Sequence, residues 1–234
     1  MTSTTIEHER LGGLDVELGG VTARLLARRA LWWPREATLF VADVHLGKAE
    51  TFRSLGVPVP AGPTEATLRR LASLALDCGA RRLVVLGDLL HARPAQAPAT
   101  IDALRAWRRE RPSLHLVLVR GNHDDRAGDP PPHLRIHVVD EAFEQDGFAL
   151  CHHPRPRPAA YVLAGHLHPC VNLGGRAWDR LRLPCYWFGA GVGVLPAFGA
   201  FTGMHPIRPG GADRVFPIAD GTVALLPAPE QRAA

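Results

Sequence analysis

The chain has 234 residues, 46% of them hydrophobic, with 27 Lys and Arg against 23 Asp and Glu, a net charge of +4 and a pI near 9.2. That length and apolar content support one packed domain, expected over residues 14–226 with loose tails at 1–13 and 227–234. No run of 18 apolar residues occurs, so no transmembrane helix is expected, and a disordered or fibrous chain is excluded. The polar start, MTSTTIEHERLGG, lacks an apolar signal core. Cys78, Cys151, Cys170 and Cys185 form no Cys-x-x-Cys pair and read as free thiols, so a reducing cytoplasm is the expected compartment. Lys48 is the only lysine. An Arg-rich balance suits bidentate phosphate contacts, and GC-rich codon bias produces it equally well.

In chain order, Val21–Leu26 and Ala30–Trp33 read as two strands forming a hairpin, followed by an apolar strand at Leu39–Ala42. Residues Gly47 to Gly62, dense in Pro and Gly, read as a long loop leaving that strand, and loops of this length in compact domains carry function or move. Its cations, Lys48 and Arg53, are candidates to meet a substrate phosphate. Pro63–Cys78 predicts a helix, with Pro at the first turn, Gly79 past the end and an apolar stripe of Leu68, Leu71, Ala72 and Ala75. Strand Leu83–Leu86 follows, then a helix from Ala99 to Arg111 whose arginines read as a solvated face, then strand Leu116–Val119. This alternation predicts parallel strands joined by helical crossovers. Beyond residue 125 helical patterns thin out. Short strands at Ile136–Val139, Ala142–Glu144, Phe148–Cys151, Tyr161–Ala164 and Arg180–Phe188 predict a second, more antiparallel sheet. The stiff His153-Pro-Arg-Pro-Arg-Pro run offers Arg155 and Arg157 to a phosphate backbone, and the Gly-rich Val192–Gly203 segment is expected to pack against the site.

Five apolar runs end in metal-type ligands. They deliver Asp43-x-His45, Gly87-Asp88-x-x-His91, Gly121-Asn122-His123-Asp124, His152-His153 and Gly165-His166-x-His168. Asp-x-His and His-x-His in extended backbone place both side chains on one side. Asp, Asn and His in this number exceed one tetrahedral ion and suit two ions sharing a carboxylate. A nitrogen–oxygen donor set without thiolate is compatible with Mn, Fe, Ni or Zn.

These five motifs, in this order across residues 43–168, resemble the calcineurin-like metallophosphoesterase superfamily. The stretches DVHLGKAETFRSLGVPVP (Asp43–Pro60) and LPAFGAFTG (Leu195–Gly203) are similar to the bacterial ligase-associated DNA damage response endonuclease group. The resemblance implies an α/β fold, a four-layer αββα sandwich of two mixed sheets. It also implies two divalent cations, with manganese favoured. Asp88 would bridge them, with Asp43, His45 and His168 on one ion and Asn122, His152 and His166 on the other. His123 would protonate the leaving oxygen or stabilise charge on phosphorus, held by Asp124. His91 would sit beside the metals without being a required ligand.

The implied activity is a metal-dependent DNA endonuclease in repair. Single-stranded DNA is its expected substrate, DNA ligase and other repair enzymes are its expected partners, no membrane is involved, and a dimer is compatible with the sequence. Two other classes stay open: a phosphoesterase for nucleotides, cyclic nucleotides or phosphoproteins, and a non-catalytic scaffold of the same fold. A scaffold has no need of a full ligand set. The metal motifs alone do not separate a polymer substrate from a small one.

Overall fold

A computed structural model describes residues 12–60, 62–145, 147–174 and 180–227. Most of both expected tails lies outside the described residues. Gly13, placed in the tail by sequence, already belongs to a strand.

Two mixed sheets pack face to face. The first contains β1 (Gly13–Leu18), β2 (Val21–Leu26), β3 (Ala30–Trp33), β4 (Thr38–Val41), β5 (Arg82–Leu86), β6 (His115–Val119) and β7 (Ile136–Val139), in that spatial order. Its strands are antiparallel as far as the β3–β4 pair and parallel from β4 to β7. The parallel part is covered on both faces, so its strands read as continuous apolar runs. Alternate residues divide between two cores. Leu39, Val41, Leu83, Val85, Leu116 and Leu118 face the helices, while Phe40, Ala42, Val84, Leu86, Val117 and Val119 face the second sheet.

Helices α2 (Pro63–Asp77) and α3 (Pro98–Arg109) cover the outer face, close to their expected bounds. Leu68, Leu71 and Leu74 of α2 and Leu104 and Trp107 of α3 enter the core, and the Trp107 indole N–H donates to the Leu68 carbonyl at 2.9 Å. One arginine of α3 departs from the solvated-face reading. Arg108 is buried and donates to the carbonyls of Leu134, Arg111 and Leu114 at 2.9–3.0 Å, so it ties the helix end to the following turns.

The second sheet contains β8 (Phe143–Gln145), β9 (Phe148–Leu150), β10 (Tyr161–Ala164), β11 (Pro169–Gly174), β12 (Arg180–Phe188), β13 (Val192–Val194), β14 (His205–Pro206), β15 (Arg214–Ala219) and β16 (Thr222–Val223). Its order is β14-β11-β12-β13-β10-β9-β8, with β15 also on β12 and β16 on β15. Antiparallel pairs outnumber parallel ones, as expected. The architecture is therefore an α/β sandwich of two mixed sheets flanked by helices. The apolar clusters on the outer face of the second sheet, around Ala149, Cys151, Val162 and Ala164 and around Val171, Cys185 and Val215, contain no residue of a described helix.

Two elements were hidden by composition. Lys48–Ser54 forms helix α1 inside the stretch expected to be loop, because Gly47, at φ +73°, turns the chain and KAETFRS then has ordinary helix formers. Asn122–Ala127 forms a short helix, α4, where a turn was expected.

The sheets are joined by edge-to-face packing of Trp33 on Phe148, with ring centroids 5.4 Å apart, and by Tyr186. The Tyr186 ring is fully buried, and its hydroxyl lies 2.7 Å from the Leu26 carbonyl and 2.8 Å from that of Ala30. Replacing Tyr186 with Phe deprives these carbonyls of their shared donor. The expected loss is ~1–3 kcal/mol of stability, read as a lower urea midpoint at unchanged slope. An unchanged midpoint means that other donors satisfy them.

Candidate metal centre

The site lies where β4, β5, β6, β9 and β10 end. Each strand hands over its first donor within two or three residues. Asp43 and Asp88 are buried to 0% and 2% exposure, and His152 to 0%. The charged floor of the site is therefore dry. His123 and His168 keep side-chain exposures of 28% and 14% and form its lip.

The backbone is not extended at these ends, as the spacing argument assumed. Nine described non-glycine residues have positive φ, and five of them are Asp43 (+52°), His45 (+49°), Asp88 (+54°), His166 (+70°) and His168 (+46°). Left-handed backbone costs a non-glycine residue on the order of 1 kcal/mol or more and persists only where the surroundings enforce it. Asp-x-His and His-x-His thus share a site through a pair of left-handed turns.

The donors converge in two sets. In one, Asp43 Oδ1 lies 3.4 Å from His168 Nε2, and His168 Nε2 lies 3.4 Å from His45 Nε2. In the other, His152 Nε2 lies 2.9 Å from Asn122 Oδ1 and 3.0 Å from His166 Nδ1. Asp88 stands between them, its Oδ2 3.8 Å from His45 Nε2 and 3.5 Å from His152 Nε2. All seven sequence-expected ligands are therefore brought together. Metal–ligand bonds of about 2.1 Å give polyhedron edges of roughly 3.0–3.4 Å, which three of these six separations match and two more, at 2.9 and 3.5 Å, miss by 0.1 Å. The donor set fits divalent cations.

Five of the seven candidate ligands are aimed by a further contact. His152 Nδ1 donates to the Leu86 carbonyl at 3.2 Å and His168 Nδ1 to that of Gly203 at 3.1 Å, which leaves both Nε2 lone pairs facing inward. His45 Nδ1 lies 3.3 Å from His91 Nδ1, so His45 donates outward and His91 is its positioning partner. Asp43 accepts the His166 backbone N–H, and Asp88 Oδ1 accepts that of His123 at 2.9 Å. Burial, reinforced by His168, pushes the His45 pKa down to about 2, and burial pushes His91 and His166 down to about 4. These imidazoles are neutral at physiological pH, as ligands must be. Burial raises Asp88.

His123 sits beside the ligands, its Nε2 3.9 Å from Asp88 Oδ2 and its ring stacked on His91. Its Nδ1 donates to the His91 carbonyl at 2.6 Å. That carbonyl does the holding expected of Asp124. Asp124 is buried and its two oxygens accept the backbone N–H groups of Leu90 and Gly121, each at 3.0 Å. It joins the second motif to the third, because the first turn of α4 directs its carboxylate back into the helix start. Burial pushes its pKa up to about 7.

Of the four expected substrate cations, Lys48 is the one placed against a ligand, lining a pocket with His45, Gly199 and Phe201. Arg53 instead binds Glu50 and the carbonyls of Val59 and Pro60, folding the segment after α1. Arg155 is exposed. Arg157, also exposed, reaches back to the thiol of Cys151 on the outer face of the second sheet. Two residues escaped the sequence reading. Glu141 accepts the backbone N–H groups of His152 and His153 at 2.9 Å and pairs with His153 Nδ1 at 2.7 Å. His153 lies beside His166, with ring centroids 4.5 Å apart. The His152-His153 doublet was visible, but nothing in the sequence joins it to a glutamate on the connection between β7 and β8.

Close approach fixes two glycines. A Cβ at Gly87, already at φ +78°, would lie 2.0 Å from His152 Nδ1, and one at Gly121 would lie 2.3 Å from Asp88 Oδ1. Gly121 has ordinary φ (−104°), so Gly121→Ala tests crowding alone. It is expected to displace Asp88 and weaken metal binding by ~10- to 100-fold, as disturbed ligand supports do, in calorimetric titration with Mn²⁺. Unchanged affinity means that Asp88 is not held where metal binding needs it.

No family model and no curated protein matches the chain. Among solved structures it is similar to the nuclease MPE of Pseudomonas putida, with 45% identity over 92% of this chain and 100% of that one, and a TM-score of 0.80. Identity of that level along essentially the whole length, over the same architecture, establishes kinship as well as fold. The chain belongs to the metallophosphoesterase family represented by that nuclease.

Proposed function

We propose that this chain is a metal-dependent phosphodiesterase that cleaves DNA, with a pair of divalent cations shared by Asp88. The observation that carries the reading is the Asp88 Oδ2 position, 3.8 Å from a donor of one set and 3.5 Å from a donor of the other. Two cations that close need a negative group between them. Asp43, His45 and His168 would hold one, and Asn122, His152 and His166 the other. The likeness to a nuclease supports a nucleic acid as the substrate. Manganese suits the donors and accords with the motif resemblance, although Fe, Ni or Zn would satisfy the same set.

Bound there, such cations supply Lewis acidity to a phosphodiester and ionise water near neutral pH. The protein groups do the rest. His45 and His166, kept neutral by burial, and the buried carboxylates of Asp43 and Asp88 would hold the centre. His123, fixed through Nδ1, presents Nε2 on the open side, where an imidazolium proton can pass to the departing oxygen. Lys48 sets a positive charge beside His45 for the anionic strand. Single-stranded DNA is the preferred form, because a flexible backbone bends into a recessed site more readily than a duplex. Work alongside DNA ligase in repair accords with the motif resemblance.

The test offers Mn²⁺-loaded protein single-stranded DNA, duplex DNA, a cyclic nucleotide and a nitrophenyl phosphodiester. Single-stranded DNA is expected to be cut fastest, with a log–log salt slope of about −0.7 per phosphate contacted. Faster turnover of the cyclic nucleotide overturns the polymer reading. Asp88→Asn is expected to lower metal stoichiometry and abolish hydrolysis, and two ions retained in that variant would refute the bridge.

His123→Ala is expected to keep both metals and lose ~10²- to 10⁴-fold in rate on DNA. The loss should be smaller on the nitrophenyl ester, whose leaving group needs no proton. Equal losses on both substrates assign His123 to charge stabilisation instead.

A further inference from the structure

The segment after β13 is strapped to the site at both ends. Phe198 N donates to the Ala42 carbonyl at 2.8 Å and Gly199 N to that of Asp43 at 3.0 Å, while Gly203 O accepts from the ligand His168 at 3.1 Å. Between the straps, Thr202 Oγ1 closes back on the Gly199 carbonyl at 3.0 Å. The Phe198 ring is fully buried and covered by the Arg70 guanidinium, 3.8 Å from its centroid. Phe201 is treated in the opposite way. This rigidly held loop presents it 45% exposed, in a pocket shared with His45 and Lys48. An isolated exposed apolar residue needs no explanation. An exposed aromatic ring lining the same small pocket as a candidate metal ligand and a lysine has a definite chemical complement, a flat ring attached to an anion.

We infer that Phe201 is a stacking platform for one unstacked nucleobase of a single strand whose adjoining phosphodiester lies in the metal centre, with Lys48 against the backbone between them. The inference rests on the nuclease reading above and names what that site reads beyond phosphate. Stacking tolerates any base, because every base has a π-face, so the platform favours single strands over duplex without setting a sequence. Base pairs keep their faces against their neighbours, whereas a single strand can turn one base onto the ring.

The experiment compares oligodeoxythymidylate with an oligomer of equal length and charge built from abasic tetrahydrofuran phosphates, using Mn²⁺-loaded protein. Wild type is expected to favour the thymidylate by about 5- to 150-fold in kcat/KM, the range of one base–aromatic stack. Phe201→Ala is expected to lose that preference while keeping its activity on the abasic oligomer, its metal affinity and its unfolding midpoint. Phe201→Trp is expected to retain the preference. Equal losses on both oligomers, or a wild type indifferent to the bases, overturn the platform and leave the nuclease reading standing. A wild type that cuts neither oligomer overturns both.

Discussion

Seven lone-pair donors facing one another at 2.9–3.8 Å are the constraint on which this structure depends. Nitrogen and oxygen acceptors at that range repel unless a cation or a proton lies between them. Burial removes the simplest remedy for His45 and His166, whose pKa values fall to about 2 and about 4. At His168 burial works in the same direction, but the hydrogen bond and charge of Asp43 together with the Gly203 carbonyl outweigh it and the pKa is raised. Burial thus keeps protons off His45 and His166, whereas Asp88 and His168 are shifted toward holding one. Five left-handed backbones add strain of the same order as a sizeable part of a domain's net stability. Such an arrangement survives only in a scaffold that leaves its ligands nowhere else to go.

The two-sheet sandwich supplies that scaffold by making each motif a support for another. Asp43 is oriented by the backbone of His166, Asp88 by that of His123, His152 by the Leu86 carbonyl, and His45 by His91. These links cross from one sheet to the other or between neighbouring strands. The core between the sheets, with Phe40, Leu86, Phe148 and Leu163, keeps the strand ends in register. A shift of one sheet would break several links together. Gly87 and Gly121 are small for the same reason, since any Cβ there would occupy the space of a ligand.

Much of this was legible in the chain. Apolar runs ending in Asp, Asn and His marked the parallel strands and the seven residues that the fold brings together, because doubly buried strands and metal-type side chains both have distinctive composition. The helices Pro63–Asp77 and Pro98–Arg109 were legible through Pro, Gly and the apolar stripe. Short elements were not. Six residues at Asn122–Ala127 and seven at Lys48–Ser54 are too few for periodicity, and polar ligands or flanking glycines mask them. Backbone handedness was invisible because Asp and His carry no mark of it. Pairings set by tertiary contact, such as Glu141 with His153, Arg108 with three carbonyls and Arg157 with Cys151, have no local signal at all.

The partner of His123 shows what such a miss means chemically. A carboxylate beside the imidazole would hold its proton by charge and raise its basicity. The His91 carbonyl, at 2.6 Å, fixes the ring without adding a negative charge. Asp124 keeps its own charge away, satisfied by the Leu90 and Gly121 amides. His123 is thus oriented firmly through Nδ1, and the carboxylate its Nε2 faces is that of Asp88, with Oδ2 at 3.9 Å. In the proposed reaction this leaves Nε2 as the atom that would hand a proton to a departing alkoxide. The structure keeps its buried carboxylates on the floor of the site and sets His123, the more exposed of the two histidines at its lip, toward the open side.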